Sequence, residues 1–276
     1  MNCAVLRYKD GKDRAVTFSY DDDSLLNIKL TDLMEKYNVK ATLNLNSASL
    51  GAGGQLNRED VRKISDNSLF EIAAHGAHHP YFDKLPTHTA FEDIFNDRKN
   101  LEAVTDKFVR GMAYPFGSYN SDVCKILEYA GIVYSRTTRA TGNFNLPDNW
   151  LEWHPTCHHK NSKDSAEKFL NLKVVANDSP LLYIWGHAHE FPGENSPFGW
   201  DDFEALLKTL SGKDNIWYAT NIEIYNYVQA YKQLIYSADG KRVYNPTSTD
   251  IWIGVNANWN SFGTTVKIPA GETVNL

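Results

Sequence analysis

Short runs of apolar and β-branched residues alternate along the chain with stretches whose apolar positions recur every three or four residues. "AVTFSY" (15–20), "ATLNL" (41–45), "FEIAA" (70–74), "VRGMAY" (109–114), "IVYS" (132–135), "LLYIW" (181–185) and "IWYAT" (216–220) read as strands. Helices are predicted between and after them, over 25–37, 58–65, 91–104, 121–130, 164–175, 201–210 and 222–234. Asn57 is an expected N-cap, with acids just behind it, and Gly131 an expected C-cap. About seven strand–helix repeats imply parallel strands joined by crossovers. Either an open doubly wound α/β sheet or a closed or nearly closed (β/α) barrel accommodates them. After residue 236 the pattern changes. "SADGKRVYNPTSTD" is turn-rich, and "IWIGVNANWN" and "TTVKIPAGETVNL" read as short strands without helices. The expected division is a barrel over 1–235 and a small β appendage over 236–276.

The reactive residues follow strands. Asp21, Asp22 and Asp23 end the first, His75, His78 and His79 follow the third, "YPFG" (114–117) the fourth, and His187, His189 and Glu190 the late strand "LLYIW". In a barrel of parallel strands these ends converge on one mouth. Three adjacent carboxylates are costly to desolvate, and a cation would offset that cost. His75 and His79 stand four apart, which on a helical turn stopped by Pro80 puts both rings within reach of one metal. A carboxylate from the first strand end completes a set of two His and one carboxylate with open coordination positions. A second Asp then stays ionised beside the metal and takes a proton from water.

Composition narrows the partners. A net charge of -6 with interspersed signs and no basic block argues against nucleic acid or an acidic membrane face. Nowhere does an apolar run reach the roughly 18 residues of a membrane span. The aromatic share of 13% supplies rings for a large core and for stacking on sugars. Three cysteines, Cys3, Cys124 and Cys157, do not make a disulfide framework. The N-terminal residues lack a signal-peptide run. The expected location is cytoplasmic if the chain begins at its natural start, and secreted or cell-surface if a signal was trimmed.

"TFSYDDD", "HGAHHP", "AYPFG" and "YIWGH", in this order, resemble the motifs of the polysaccharide deacetylase family, carbohydrate esterase family 4. The resemblance spans residues 15 to about 220. It implies a distorted, incomplete (β/α) barrel of about seven parallel strands. It implies a hydrolase that removes acetyl groups from a carbohydrate through a metal-activated water. Asp21 then resembles the catalytic base, Asp22, His75 and His79 the metal ligands, and His187 the acid. Tyr114 lies beside the motif whose backbone N–H serves the oxyanion. Trp185 stands where the family has the Leu that lines the acetyl pocket. Trp150, with Asp148, is a loose match to the groove motif. Zinc is the expected ion, with cobalt, nickel or iron as alternatives.

The sequence departs from the family at three places. Asp23 replaces a glycine, and could compete as base or ligand. Gly76 replaces the Ser or Thr that braces the histidine turn. Ala113 replaces the Arg that holds the catalytic Asp, a loss expected to raise the proton affinity of Asp21. His189 could replace His187 as the acid, and Glu190 could orient either. His154, Cys157, His158 and His159 form a second cluster, able to line the groove or hold a second metal. Three other functions stay open: hydrolysis of a small cyclic amide in the cytoplasm, non-heme iron oxygenation, and carbohydrate binding without catalysis.

Overall fold

The computed structural model describes residues 4–174, 178–192, 196–255 and 263–276. In chain order the strands are β1 Val5–Arg7, β2 Arg14–Asp21, β3 Ala41–Leu45, β4 Phe70–Ala74, β5 Gly111–Ala113, β6 Tyr134–Arg136, β7 Cys157–His158, β8 Leu181–His187, β9 Ile216–Tyr218, β10 Ile235–Tyr236, β11 Arg242–Tyr244, β12 Ile251–Val255, β13 Thr264–Ile268 and β14 Thr273–Asn275. The helices are α1 Leu26–Lys36, α2 Arg58–Asp66, α3 Thr87–Thr105, α4 Ser121–Tyr129, α5 Ser162–Asn171, α6 Trp200–Leu210 and α7 Asn221–Lys232.

Parallel pairing follows the path β6-β5-β4-β3-β2-β8-β7. The start of β2 also pairs with β9, Arg14–Val16 against Ile216–Tyr218, while its end, Ser19–Asp21, pairs with β3. At the seam, Arg136 bridges to Trp153, whose N–H donates to Ser135 O and whose carbonyl accepts from Thr137 N. The sheet curls into the expected distorted (β/α) barrel, with its helices on the outside. Alternation along β2 shows how one strand serves both faces. Val16, Phe18 and Tyr20 join the apolar layer under the helices. Thr17, Ser19 and Asp21 point the other way and are held by polar partners, Thr17 by Asn221 and Ser19 and Asp21 by Asn44. The barrel interior is therefore a buried polar column.

Most predicted strands agree with the structure to within two residues. The unpredicted strands β1, β7, β10 and β11 are each two or three residues long. Asn57 does cap α2, accepting from Glu59 N and Asp60 N in a capping box. Helix α3 begins at Thr87, earlier than its apolar spacing suggests, because Pro86 fixes its entry. The C-terminal strands form two three-stranded antiparallel sheets, β10-β11-β14 and β1-β12-β13. The first strand of the chain, β1, is thus paired with β12. Leu6, Tyr8, Tyr227, Ile251 and Ile253 build a second apolar core where this part meets the barrel. Part of the predicted strand "IWIGVNANWN" (256–260) and Cys3 lie outside the described residues.

Candidate active site

Asp21 ends β2 inside the barrel, in register with Asn44 on one side and His187 on the other. It is 2% exposed. Asn44 Nδ2 donates to its Oδ1 at 2.9 Å, and the Arg136 guanidinium donates to its Oδ2. Burial alone would raise its pKa, but Arg136, His75 and His187 outweigh burial and hold it below the usual carboxylate range. This corrects the expectation built on Ala113. The strand pairing sets Arg136 directly opposite Ala113, on the same face of the sheet. The cation is supplied one strand further along. Arg136 is fully buried and lies over the Trp185 ring, 4.3 Å from its centroid.

Asp22, His75 and His79 meet at the mouth. Asp22 Oδ1 is 3.8 Å from His75 Nε2 and 3.7 Å from His79 Nε2. These gaps are too long for direct hydrogen bonds, but the three ligand atoms lie within 4.8 Å of one another. His75 Nδ1 lies 2.8 Å from the Ala113 carbonyl, which fixes that nitrogen as the donor and turns the Nε2 lone pair to the cluster. The His79 ring is wedged edge-on between His75 and Phe116. The donor set, two imidazoles and one carboxylate with an outer partner in place, fits a divalent ion of the zinc or iron type.

The histidines do not converge through a helical turn. Residues 75–80 form a non-helical turn, with Gly76 at φ 73° and His79 at φ 54°. A Cβ at Gly76 would stand 2.8 Å from the Phe82 ring, so the braced Ser or Thr of the family motif has no room here. Asp22 at φ 67° and Phe116 at φ 58° are also left-handed. Left-handed backbone is costly for such residues and tends to gather at functional sites. Of six left-handed non-glycine residues among those described, Asp22, His79 and Phe116 meet here.

His187 Nε2 faces Asp21 Oδ2 at 3.9 Å and His187 Nδ1 faces Glu190 Oε1 at 3.4 Å. Burial lowers the affinity of this imidazole for a proton, yet Glu190 and Asp21 outweigh it and raise the pKa. Glu190 Oε2 lies 3.0 Å from His158 Nε2 and 3.1 Å from His159 Nε2, so the second histidine cluster closes around Glu190. Burial drops His159 to a pKa of about 4. A Cβ at Gly186 would stand 2.1 Å from His159 Nδ1, so this glycine makes room for the ring. His189 is half-exposed, its Nδ1 3.7 Å from Asp22 Oδ2. His154 is separate, its Nδ1 2.6 Å from Thr137 Oγ1. Cys157 is a buried thiol pushed up to about 11 by burial.

Other predicted positions fall elsewhere. The Tyr114 side chain is buried and donates to Leu151 O, and its N–H donates to Arg136 O. It offers the mouth no donor, because strand pairing uses its N–H. Trp150 packs against Trp153 and Tyr225 in the second apolar core, and Asp148 is exposed on a flanking loop. The loose groove motif therefore does not reach the mouth. Asp23 is buried and bonded to Ser49 at 2.8 Å, outside the ligand cluster, and the left-handed conformation falls at Asp22 instead. Beside His79, the Phe116 and Tyr81 rings stack at 4.0 Å, each about half exposed.

The family model described as polysaccharide deacetylase matches residues 8–135 of this chain. A polysaccharide deacetylase from Bacillus cereus is 21% identical with a TM-score of 0.45, over 49% of this chain and 44% of that one. The chain thus spans less than half the length of that relative. A Mycobacterium smegmatis structure assigned to the polysaccharide deacetylases is 17% identical with a TM-score of 0.60, over 83% of this chain and 95% of that one. A CE4-family pseudoenzyme from Bacillus anthracis is 17% identical with a TM-score of 0.51, over 79% and 67% respectively. No curated protein sequence matches the chain. At these identities the structural likeness speaks for the fold. Among the described residues no helix is long and apolar enough to cross a membrane.

Proposed function

We propose that the protein is a metal-dependent deacetylase acting on an acetylated carbohydrate. The observation that carries this reading is the meeting of Asp22, His75 and His79 beside a buried, ionised Asp21 and an imidazole, His187, whose proton affinity is raised. The exposed Tyr81–Phe116 stack beside His79 supports a carbohydrate, whose C–H faces pack on aromatic rings.

Asp22 Oδ1, His75 Nε2 and His79 Nε2 would hold the divalent ion, and zinc is the expected one for hydrolysis. When bound it supplies Lewis-acid polarisation of the acyl carbonyl and acidifies water. Asp21 takes the proton from the attacking water. Its carboxylate stays ionised because Arg136 faces it, and Asn44 and Arg136 fix its orientation. His187 delivers a proton from Nε2 to the departing amine or alcohol. Glu190 positions it from Nδ1, keeping Nε2 aimed at the site. With the Tyr114 and Gly117 N–H groups engaged and Pro115 lacking one, the backbone donor of this turn for the oxyanion is Phe116 N–H.

The test is acetate release by purified protein on a panel of acetylated oligosaccharides, with and without a chelator. Release that chelation abolishes and added zinc restores is expected. Opening of a small cyclic amide without acetate release would replace this reading with the amide hydrolase. Binding without any turnover would make the protein a carbohydrate binder.

A further inference from the structure

The cavity beside the ligand cluster has chemistry that the proposed reaction does not use. It measures about 610 Å³ and its wall includes Asp22, Asp23, Ser24, Ser49, Gln55 and His189. Among the described residues, no Lys or Arg lines it. Two of its imidazoles face carboxylates already, His78 that of Asp93 and His189 that of Asp22.

Asp23 is the unusual part of this wall, because the resembled motif has a glycine there. The residue is 2% exposed. Ser49 Oγ donates to its Oδ2 at 2.8 Å, and Leu56 N donates to its carbonyl, which anchors both the side chain and the backbone. Gln55, bridged to Ser24 across the same wall, has a buried Oε1 without a hydrogen-bond partner among the described residues. With Asp22 committed to the ion, the Asp23 carboxylate and the unanswered Gln55 oxygen make this side of the wall rich in acceptors. A ligand that fits it brings donors, and a buried acceptor left unmatched costs affinity. A ligand that places a carboxylate, sulfate or phosphate against Asp23, on the side of the wall away from the ion, meets like charge with no Lys or Arg among the lining residues to receive it.

We propose that Asp23 is a specificity-determining residue. The cavity takes a sugar unit that presents hydroxyl or amino donors, and Asp23 turns away acidic glycans. This inference rests on the carbohydrate deacetylase reading.

Its test compares kcat/KM for acetate release from two acetylated oligosaccharides of equal length, one neutral and one bearing uronic acid units. Wild type, Asp23→Asn and Asp23→Gly are measured side by side. Wild type is expected to prefer the neutral chain by about tenfold or more, since like charges set against each other are costly. Both variants are expected to shrink that ratio several-fold. The Asn variant keeps the shape of the side chain, so it remains informative if the Gly variant folds poorly. A ratio that neither variant changes would overturn the proposal. Calorimetric binding of the deacetylated amino-oligosaccharide gives a readout that needs no turnover. Tighter binding by wild type than by Asp23→Asn is expected, and equal affinity would overturn the proposal. If wild type releases no acetate from any glycan, the deacetylase reading falls, while binding still decides the role of Asp23.

Discussion

Two groups of two histidines and one carboxylate lie in the same barrel mouth, and their outer contacts set them apart. In Asp22–His75–His79 the carboxylate stands 3.7–3.8 Å from each ring nitrogen, and His75 Nδ1 is tied to a carbonyl. That ring has its proton on the outer nitrogen and a lone pair facing inward. In His158–His159–Glu190 the carboxylate is 3.0–3.1 Å from both rings. There His158 Nδ1 accepts from Lys160 N, and His159 Nδ1 lies against Gly186 with no acceptor among the described residues. A ring that accepts at Nδ1 carries its proton on Nε2 and cannot ligate from that nitrogen. The donor atoms of the first group are free to share an ion. The second is built to crowd imidazoles around one carboxylate whose other oxygen faces His187. The same residue types take opposite tasks because their backbone surroundings decide where the proton sits.

The difference can be broken experimentally, and the largest effect is expected at the base. Asp21→Asn should cut acetate release by roughly 10²–10⁴-fold while the ion content stays unchanged, measured by steady-state kinetics with elemental analysis. Full activity would remove Asp21 from the mechanism. Arg136→Ala strips the buried Asp21 of its counter-ion and should cost about 3–5 kcal/mol of stability in denaturant melts at pH 7. Adding Ala113→Arg to that variant should recover much of the loss, since residues 113 and 136 are register partners. No recovery would show that the cation acts only from its own strand.

A smaller, pH-dependent effect is expected at Glu190. An adjacent carboxylate favours the imidazolium, so its removal lowers the pKa of His187. The acid must be protonated to act, so Glu190→Gln should move the basic limb of the pH–rate profile to lower pH. Ion content should not change. An unshifted limb with lower activity at every pH would reduce Glu190 to a structural role.

Much of this was legible in the chain. Strand ends carry the reactive residues, so the alternating pattern located Asp21, Asp22, His75, His79 and His187 at one mouth. Three things were not legible. Arg136 ends a short strand, "YSR", and nothing local distinguishes it from a surface arginine, because its role comes from pairing with a neighbouring strand. Glu190 gathers His158 and His159 from about thirty residues away, which spacing alone does not reveal. Trp150 has the composition of a groove residue, but its short 3₁₀ turn, Trp150–Glu152, directs the ring into the second core. The missing arginine at Ala113 misled in the same way: a motif read along one strand cannot show a substitute from the next.

The most direct test counts ions. Wild type, His75→Gln and His159→Gln are purified in parallel and their metal-to-protein ratios measured by elemental analysis. One ion per chain is expected in wild type and in His159→Gln, and none in His75→Gln. Two ions in wild type, or an ion that survives in His75→Gln and disappears in His159→Gln, would contradict the assignment of the metal to Asp22, His75 and His79.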